Sequence, residues 1–329
     1  MKVLFIERRP SSSTSIERVF AQVAKDLPAK GVEVEFQKLP FSSKPLGIIG
    51  NLLFFRPRDA DIFHLTGDAA YMVLRLPAAR TVVTIHDLIG LHTRRGLRRR
   101  VIKWAFAGVA VKRARWITAI SEATKEELCS HFDRVRSLVR VIADPLIDNF
   151  LPKEKAVPSV SPVILQVGTA DNKNLPRLIE ALRGLDCHLR IVGPLDPTVI
   201  RLLEVSAIEF SSVESVSDSD ILKEYENADV VAFCSTYEGF GLPIIEAQAV
   251  GRAVVTSNRP PMTDVAGKAA VFVDANDPAS IRDGIERVLN DPALRVSLIS
   301  MGFENIKRFR SADIAAQYAD LYREVLENA

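Results

Sequence analysis

Short apolar runs alternating with segments of helical period, in two separate stretches, constrain this chain more than any other feature. Val3-Leu4-Phe5-Ile6 has no polar alternation, the pattern of a strand buried on both faces of a parallel sheet. Ile16, Val19, Phe20, Val23, Ala24 and Leu27 then recur in steps of three and four, a helix face closed by Pro28 and Gly31. Residues 32–36, 62–65, 81–85 and 116–120 read as further strands, and such alternation predicts βαβ units on a parallel sheet. From Asp144 to Pro162 the pattern stops: four prolines and no sustained period mark a linker. Alternation resumes with strands at 163–167, 188–192, 229–233 and 253–256, a helix at 174–185, and helical patterns at 278–289, 294–309 and 314–326. A chain of 329 residues suits two domains of ordinary size. The expected architecture is α/β, two doubly wound domains facing each other across a cleft, with ligands outside the carboxyl ends of the strands.

Composition narrows the function classes. Charged residues at 26% and apolar residues at 47% describe an ordinary folded chain. The apolar run 104–111 is short against the roughly 20 residues of a membrane span. Met1-Lys2 is followed by only four apolar residues before Glu7-Arg8-Arg9, which does not read as a secretory signal. Cys129, Cys187 and Cys234 have no CxxC spacing and sit in apolar-periodic segments, so buried free thiols in a reducing, cytoplasmic compartment are expected. The net charge of +2 hides an asymmetry: residues 1–150 carry 25 Lys/Arg against 15 Asp/Glu, and the remainder is acidic. That split suggests an anionic partner for the first half. Between 94 and 115 there are nine basic residues, including Arg98, Arg99 and Arg100, around an apolar middle with Trp104 and Phe106. This segment is read as a dock for an anionic membrane surface, with a solvated basic stretch or an anionic soluble acceptor as the alternative. No recognition fold or interleaved stacking aromatics accompanies the charge, so nucleic acid is not the expected partner.

One segment carries chemistry. Cys234-Ser235-Thr236-Tyr237-Glu238-Gly239-Phe240-Gly241-Leu242-Pro243-Ile244-Ile245-Glu246-Ala247 leaves a strand, turns through two glycines and enters a helix near Pro243. Glycines let the backbone approach a ligand closely, and the amides of a helix start attract an anion. The alternative is purely structural, with Glu246 favouring the helix dipole and Glu238 solvated.

Two glutamates separated by seven residues, with Gly-Phe-Gly-Leu-Pro after the first and Glu-Ala at the second, resemble the signature of retaining family 4 glycosyltransferases. Gly251-Arg252-Ala253-Val254-Val255-Thr256-Ser257 is similar to that family's following motif, with Ala253 in place of proline. Val167-Gly168-Thr169 ahead of Lys173-Asn174-Leu175, Ile191-Val192-Gly193, His86-Asp87 and Ser121-Glu122-Ala123-Thr124 extend the resemblance along nearly the whole chain. It implies the GT-B fold: an acceptor-side Rossmann-like domain at 1–150, a nucleotide-sugar-binding one at 151–310, and a helix at 311–329 packing back on the first domain. It further implies a UDP or GDP sugar as donor, a hydroxyl acceptor with a lipid-linked one among the candidates, work in cell-surface glycan or glycolipid assembly, and no cofactor.

The resemblance also implies roles. Glu238 would hydrogen-bond the donor sugar, amid the amides of Gly239, Phe240, Gly241 and Leu242. Glu246 would accept both ribose hydroxyls, Lys173 would neutralise the diphosphate beside Gly168 and Thr169, and His86 would approach the anomeric carbon. A loop from Phe210 to Val213 would read the base, and Ser12 and Ser13 stand where the family often has a glycine pair. Thr169-Ala170-Asp171-Asn172 offers no arginine ahead of Lys173, so other groups must complete the anion site. Asp59-Ala60-Asp61 and Asp218-Ser219-Asp220 match the Asp-x-Asp of metal-dependent enzymes, but the first only precedes a strand and the second sits at a helix start. The expectation is a metal-independent retaining glycosyltransferase with no metal site. The alternatives are a catalytically silent nucleotide-sugar-binding subunit and a GT-B nucleotide-sugar epimerase.

Overall fold

The computed structural model describes residues 1–9, 15–67, 69–89, 108–153, 161–214 and 216–329. Ser12, Ser13 and the stretch 94–107 of the basic segment lie outside the described residues, as does His92; Lys112, Arg113 and Arg115 lie inside them. The chain divides into two compact units, Met1–Ile147 with Phe309–Ala329, and Asp148–Arg308. Among the described residues no helix is long and apolar enough to cross a membrane.

The first unit is a parallel sheet in the order β2-β1-β3-β4-β5-β6, from β1 (Lys2–Glu7), β2 (Glu33–Lys38), β3 (Ile62–Leu65), β4 (Thr81–Ile85), β5 (Trp116–Ala119) and β6 (Val139–Val141). Around it lie α1 (Ser15–Asp26), α2 (Pro45–Phe54), the short α3 (Val109–Arg113) and α4 (Glu122–His131). Val3, Leu4, Phe5 and Ile6 are all buried, because helices cover both faces of the sheet. The helix α1 turns Val19, Phe20 and Val23 inward, and the Phe20 ring meets Phe5 edge-on at 5.5 Å. Ser121 caps α4 by accepting from the Thr124 amide. Neither α2 nor β6 shows in the sequence pattern: α2 is apolar all round, and β6 is three residues long.

The second unit is also all parallel, in the order β12-β11-β10-β7-β8-β9. Its strands are β7 (Val163–Val167), β8 (His188–Val192), β9 (Glu209–Val213), β10 (Val230–Phe233), β11 (Ala253–Ser257) and β12 (Val271–Val273). Its helices are α5 (Leu175–Leu182), α6 (Pro197–Ser206), α7 (Asp218–Asn227), α8 (Leu242–Val250), α9 (Met262–Ala266), α10 (Pro278–Asn290) and α11 (Pro292–Asn305). The chain winds outward from β7 in one direction to β9, then from β10 in the other to β12. The reversal between β7 and β10 is a topological switch point, where the connecting loops diverge and leave a crevice at the strand ends. One expectation is corrected here. Residues 210–213 form not a loop but part of the edge strand β9, hydrogen-bonded in parallel to β8, with Phe210 opposite Leu189. The loop at this strand end begins at residue 214.

The final helix α12 (Ser311–Glu327) belongs to the first unit. Ile314, Ala315, Tyr318, Ala319, Tyr322 and Val325 are buried at helical spacing, and α12 lies against α1 and β3. The Leu146 amide donates to the Phe309 carbonyl at 2.8 Å, so the outgoing and returning segments are tied together. His64 sits inside β3, fully buried, with Nδ1 2.7 Å from Tyr322 Oη and Nε2 2.7 Å from Thr84 Oγ1. Burial, with a smaller push from His86, lowers its pKa to about 3, so the ring is neutral and donates at one nitrogen while accepting at the other. His64 thus fastens α12 to β3 and β4. Tyr322→Phe should leave one buried imidazole nitrogen without its partner and destabilise the protein by about 1–3 kcal/mol. Urea denaturation checks this; an unchanged midpoint would contradict the anchoring role.

Candidate functional site

The loops after β7 and β10 are stitched together across the switch point. Thr236 N donates to Asn172 O at 2.8 Å, and Asn172 Nδ2 donates to Tyr237 O at 2.9 Å. Asn174 is buried in the left-handed region at φ 62° as the N-cap of α5, and its Nδ2 donates to Cys234 O at 3.0 Å and Ala275 O at 2.7 Å. A short amide side chain tolerates this backbone conformation, and here it joins the ends of three strands. The geometry of Lys173 and Glu238 is set by these neighbours.

Lys173 Nζ and Glu238 Oε1 are 2.7 Å apart, with both side chains mostly buried. The ammonium also lies over the Phe233 ring, 4.7 Å from its centroid, an interaction worth about 0.5–2 kcal/mol. Phe233 ends β10, so the cation rests on an aromatic floor and meets a carboxylate at its side. Gly168 makes room: at φ 88°, a Cβ there would come within 3.0 Å of Lys173 Cε. Gly193, at φ 134°, similarly admits Thr169, whose Oγ1 donates to Pro194 O at 2.6 Å.

Eight residues after β10, α8 starts on Gly241 at φ 119°, where an added Cβ would crowd Ile244 and Phe233. Phe240 and Gly241 are buried, whereas Gly239 and Leu242 are partly exposed at the turn. The helix start provides amides of positive potential next to the lysine–glutamate pair in sequence. Glu246, one turn further on, is buried, and Tyr225 Oη donates to its Oε2 at 2.6 Å. Tyr225 comes from α7, whose carboxyl end is gripped by buried Arg252 through Nε to Tyr225 O and Nη2 to Glu226 O. Arg252 therefore positions the tyrosine that holds Glu246. Phe210 is partly buried on the core side of β9.

Three of these residues were not singled out by the sequence: Tyr225, Asn174 as a stitch, and Arg259. Arg259 follows β11 and its Nη1 donates to the Thr236 carbonyl, which places a guanidinium on the same stitched loop as Asn172 and Lys173. Such contacts join residues distant in sequence and leave no local signal. In the first unit, His86 follows β4 half-buried, with Nε2 2.8 Å from the Thr66 carbonyl. A carbonyl only accepts, so Nε2 carries the proton and Nδ1 is the basic nitrogen. The Asp-x-Asp pairs are engaged locally: Asp61 accepts from the Lys2 amide, while Asp220 accepts from Ser217 Oγ and pairs with Lys223. Among the described residues no group of three or more His, Cys, Asp or Glu side chains is placed to hold a metal ion.

Two family descriptions match the chain in order: Glycosyltransferase Family 4 over residues 38–145, and Glycosyl transferases group 1 over residues 148–304. Among curated proteins, the O-antigen chain mannosyltransferase B of Escherichia coli is 30% identical over 171 residues, covering 48% of this chain and 45% of that protein. The D-inositol 3-phosphate glycosyltransferase of Corynebacterium glutamicum is 28% identical over 194 residues, covering 54% of this chain and 46% of that protein. The matched region thus spans about half the length of these curated relatives. Among solved structures, Anabaena Alr3699/HepE in complex with UDP and glucose superposes with a TM-score of 0.80 at 18% identity, covering 98% of this chain and 100% of that one. Such a likeness shows the fold, and the two family matches together take in most of the sequence. The chain belongs to the family 4 glycosyltransferases and has the GT-B fold.

Proposed function

We propose that this protein is a retaining glycosyltransferase that moves a sugar from a nucleoside-diphosphate sugar to a hydroxyl acceptor without a metal ion. The observation that carries the reading is the Lys173–Glu238 pair at the switch point of the second sheet. The solved structures of Anabaena Alr3699/HepE with UDP and glucose and with UDP-glucose support a nucleotide-sugar donor. UDP and GDP are both candidates for the nucleotide.

In this reading Lys173 neutralises the diphosphate, helped by the Thr169 hydroxyl, the amides at the α8 start and the Arg259 guanidinium, which supplies the arginine absent before Lys173. Glu238 turns from the lysine to the hydroxyls of the donor sugar, and Glu246, oriented by Tyr225, takes the ribose hydroxyls. Gly239, Phe240, Gly241 and Leu242 line the sugar and diphosphate. As the bond between the anomeric carbon and the diphosphate oxygen breaks, the acceptor oxygen adds on the same face and its proton passes to the departing phosphate oxygen. The protein contributes preorganised charge and no covalent intermediate. His86 keeps the catalytic role that the family resemblance gives it, with Nδ1 as its basic atom. Ser12 and Ser13 remain proposed for phosphate contact, and Phe210 to Val213 for reading the base through their backbone, from the strand β9 and not from a loop. The acceptor is proposed to be lipid-linked and presented at the inner face of a membrane, in glycan or glycolipid assembly.

Two outcomes check this reading. Glu246→Gln should weaken binding of free UDP or GDP by about tenfold, since one ribose hydroxyl loses a charged acceptor. Calorimetry with both nucleotides decides it, and an unchanged dissociation constant would remove Glu246 from the nucleotide site. Slow hydrolysis of the donor, followed by release of the nucleotide, should persist in excess EDTA, because Lys173 supplies the positive potential. Activity abolished by EDTA and restored by Mg²⁺ or Mn²⁺ would overturn the metal-free part of the reading and return Asp220 to consideration.

A further inference from the structure

The outer face of α2 does not look like a surface meant for water. Five of the thirteen exposed large apolar side chains among the described residues fall within fourteen positions: Phe41, Leu46, Ile49, Leu53 and Phe54. Leu46 is 85% exposed, Ile49 54%, Leu53 57% and Phe54 68%. Leu46, Ile49 and Leu53 recur in steps of three and four, so they share one stripe, with Phe54 beside it. The opposite stripe supplies what folding needs: Ile48 and Leu52 pack against the core and Phe55 is buried. The exposed stripe is therefore additional to the core. Isolated exposed apolar residues are normal, but a contiguous patch of this kind marks an interaction surface.

The patch is also rigidly built. Buried Asn51 accepts from the Phe41 amide at 2.9 Å and donates to the Phe41 carbonyl at 3.0 Å and to Tyr71 Oη at 2.8 Å. This clamps the segment before the helix and lays the Phe41 ring over Gly50, where an added Cβ would come within 2.9 Å of it. Phe41 and Phe54 then lie 6.2 Å apart between ring centroids. A buried asparagine thus holds an exposed aromatic in place.

The charges around it point to the occupant. Residues 36–58 include four basic side chains, Lys38, Lys44, Arg56 and Arg58, and no acidic one. Lys44 is the N-cap of α2, where a cation opposes the helix dipole and provides no cap hydrogen bond. Arg56 folds back to donate to the Leu53 and Phe55 carbonyls at the other end. An apolar stripe without a single charge, bracketed at both ends by exposed cations, complements a bilayer with anionic headgroups and an acyl layer beneath them.

We infer that α2 is a membrane-docking element: Phe41, Leu46, Ile49, Leu53 and Phe54 enter the headgroup–acyl boundary while Lys44 and Arg56 engage anionic lipid headgroups. The inference names the surface for the membrane-presented acceptor proposed above, and its evidence does not depend on glycosyl transfer. It lies apart in sequence from the basic segment 94–115. The test is co-sedimentation with vesicles of phosphatidylglycerol and phosphatidylethanolamine, compared with phosphatidylcholine alone, at low and high salt. Wild type should partition onto the anionic vesicles. The exposed double substitution Leu46→Ser with Leu53→Ser should reduce that partitioning about tenfold or more. Lys44→Ser with Arg56→Ser should remove most of the preference for anionic over neutral lipid. Near-ultraviolet circular dichroism and the thermal midpoint confirm that the variants are folded. Sedimentation needs neither donor nor turnover, so its outcome is read separately from that of the transferase assay. Wild type that ignores anionic vesicles at low salt overturns the inference, as does a Leu46/Leu53 variant that binds like wild type. A wild-type dimer that stays off the vesicles and becomes monomeric in the same variant also overturns it, giving the face to a second copy.

Discussion

Lys173 and Glu238 are 65 residues apart in sequence, and they meet because β7 and β10 are neighbours at the point where the second sheet reverses direction. Everything around the pair keeps it there: Asn172 and Asn174 stitch the two loops, Phe233 supports the ammonium, and Gly168 clears the path of the lysine stem. The pair is thereby placed before any substrate arrives, which is the condition for electrostatic catalysis without reorganisation. In the proposed reading, a diphosphate competes with the Glu238 carboxylate for the same ammonium, and the carboxylate becomes available for sugar hydroxyls.

The strands of both sheets were legible where they are buried on both faces. The runs 62–65, 81–85, 163–167 and 188–192 coincide with β3, β4, β7 and β8, because a parallel strand between two helical layers can hold little but apolar residues. The edge strand β9 was missed: Glu-Phe-Ser-Ser-Val has no continuous apolar run, and the family resemblance implied a loop at 210–213. The helix α2 was invisible for the opposite reason: apolar residues on its buried and its outer faces erase the amphipathic period on which recognition depends. Within the site, Glu238, Glu246 and Lys173 stood out through the family resemblance of their motifs. Tyr225 and Arg259 did not, since their roles come from contacts such as Tyr225 with Glu246 that no local pattern encodes.

The first unit has a different physical character. Its last helix arrives from the far end of the chain and is fastened by a neutral buried histidine between Tyr322 and Thr84, so residues 311–327 complete its core. The excess of basic residues falls in this half of the sequence, and so does the exposed apolar stripe of α2. The second half is acidic overall, yet it concentrates Lys173 and Arg259 at its strand ends. The proposed anion recognition there depends on local placement, and net charge would not have revealed it.

The central claim is that Glu238 and a nucleoside diphosphate compete for Lys173. Calorimetry of UDP and GDP binding to wild type, Glu238→Gln, Lys173→Met and the double variant tests it most directly. The account predicts that Glu238→Gln binds the free nucleotide several-fold tighter, a gain of about 1 kcal/mol from releasing the ammonium. Lys173→Met should bind about tenfold or more weakly, and in its background Glu238→Gln should bring no further tightening, because the two residues act through one contact. Lys173→Met binding like wild type would contradict the account, and so would a Glu238→Gln gain that persists without the lysine.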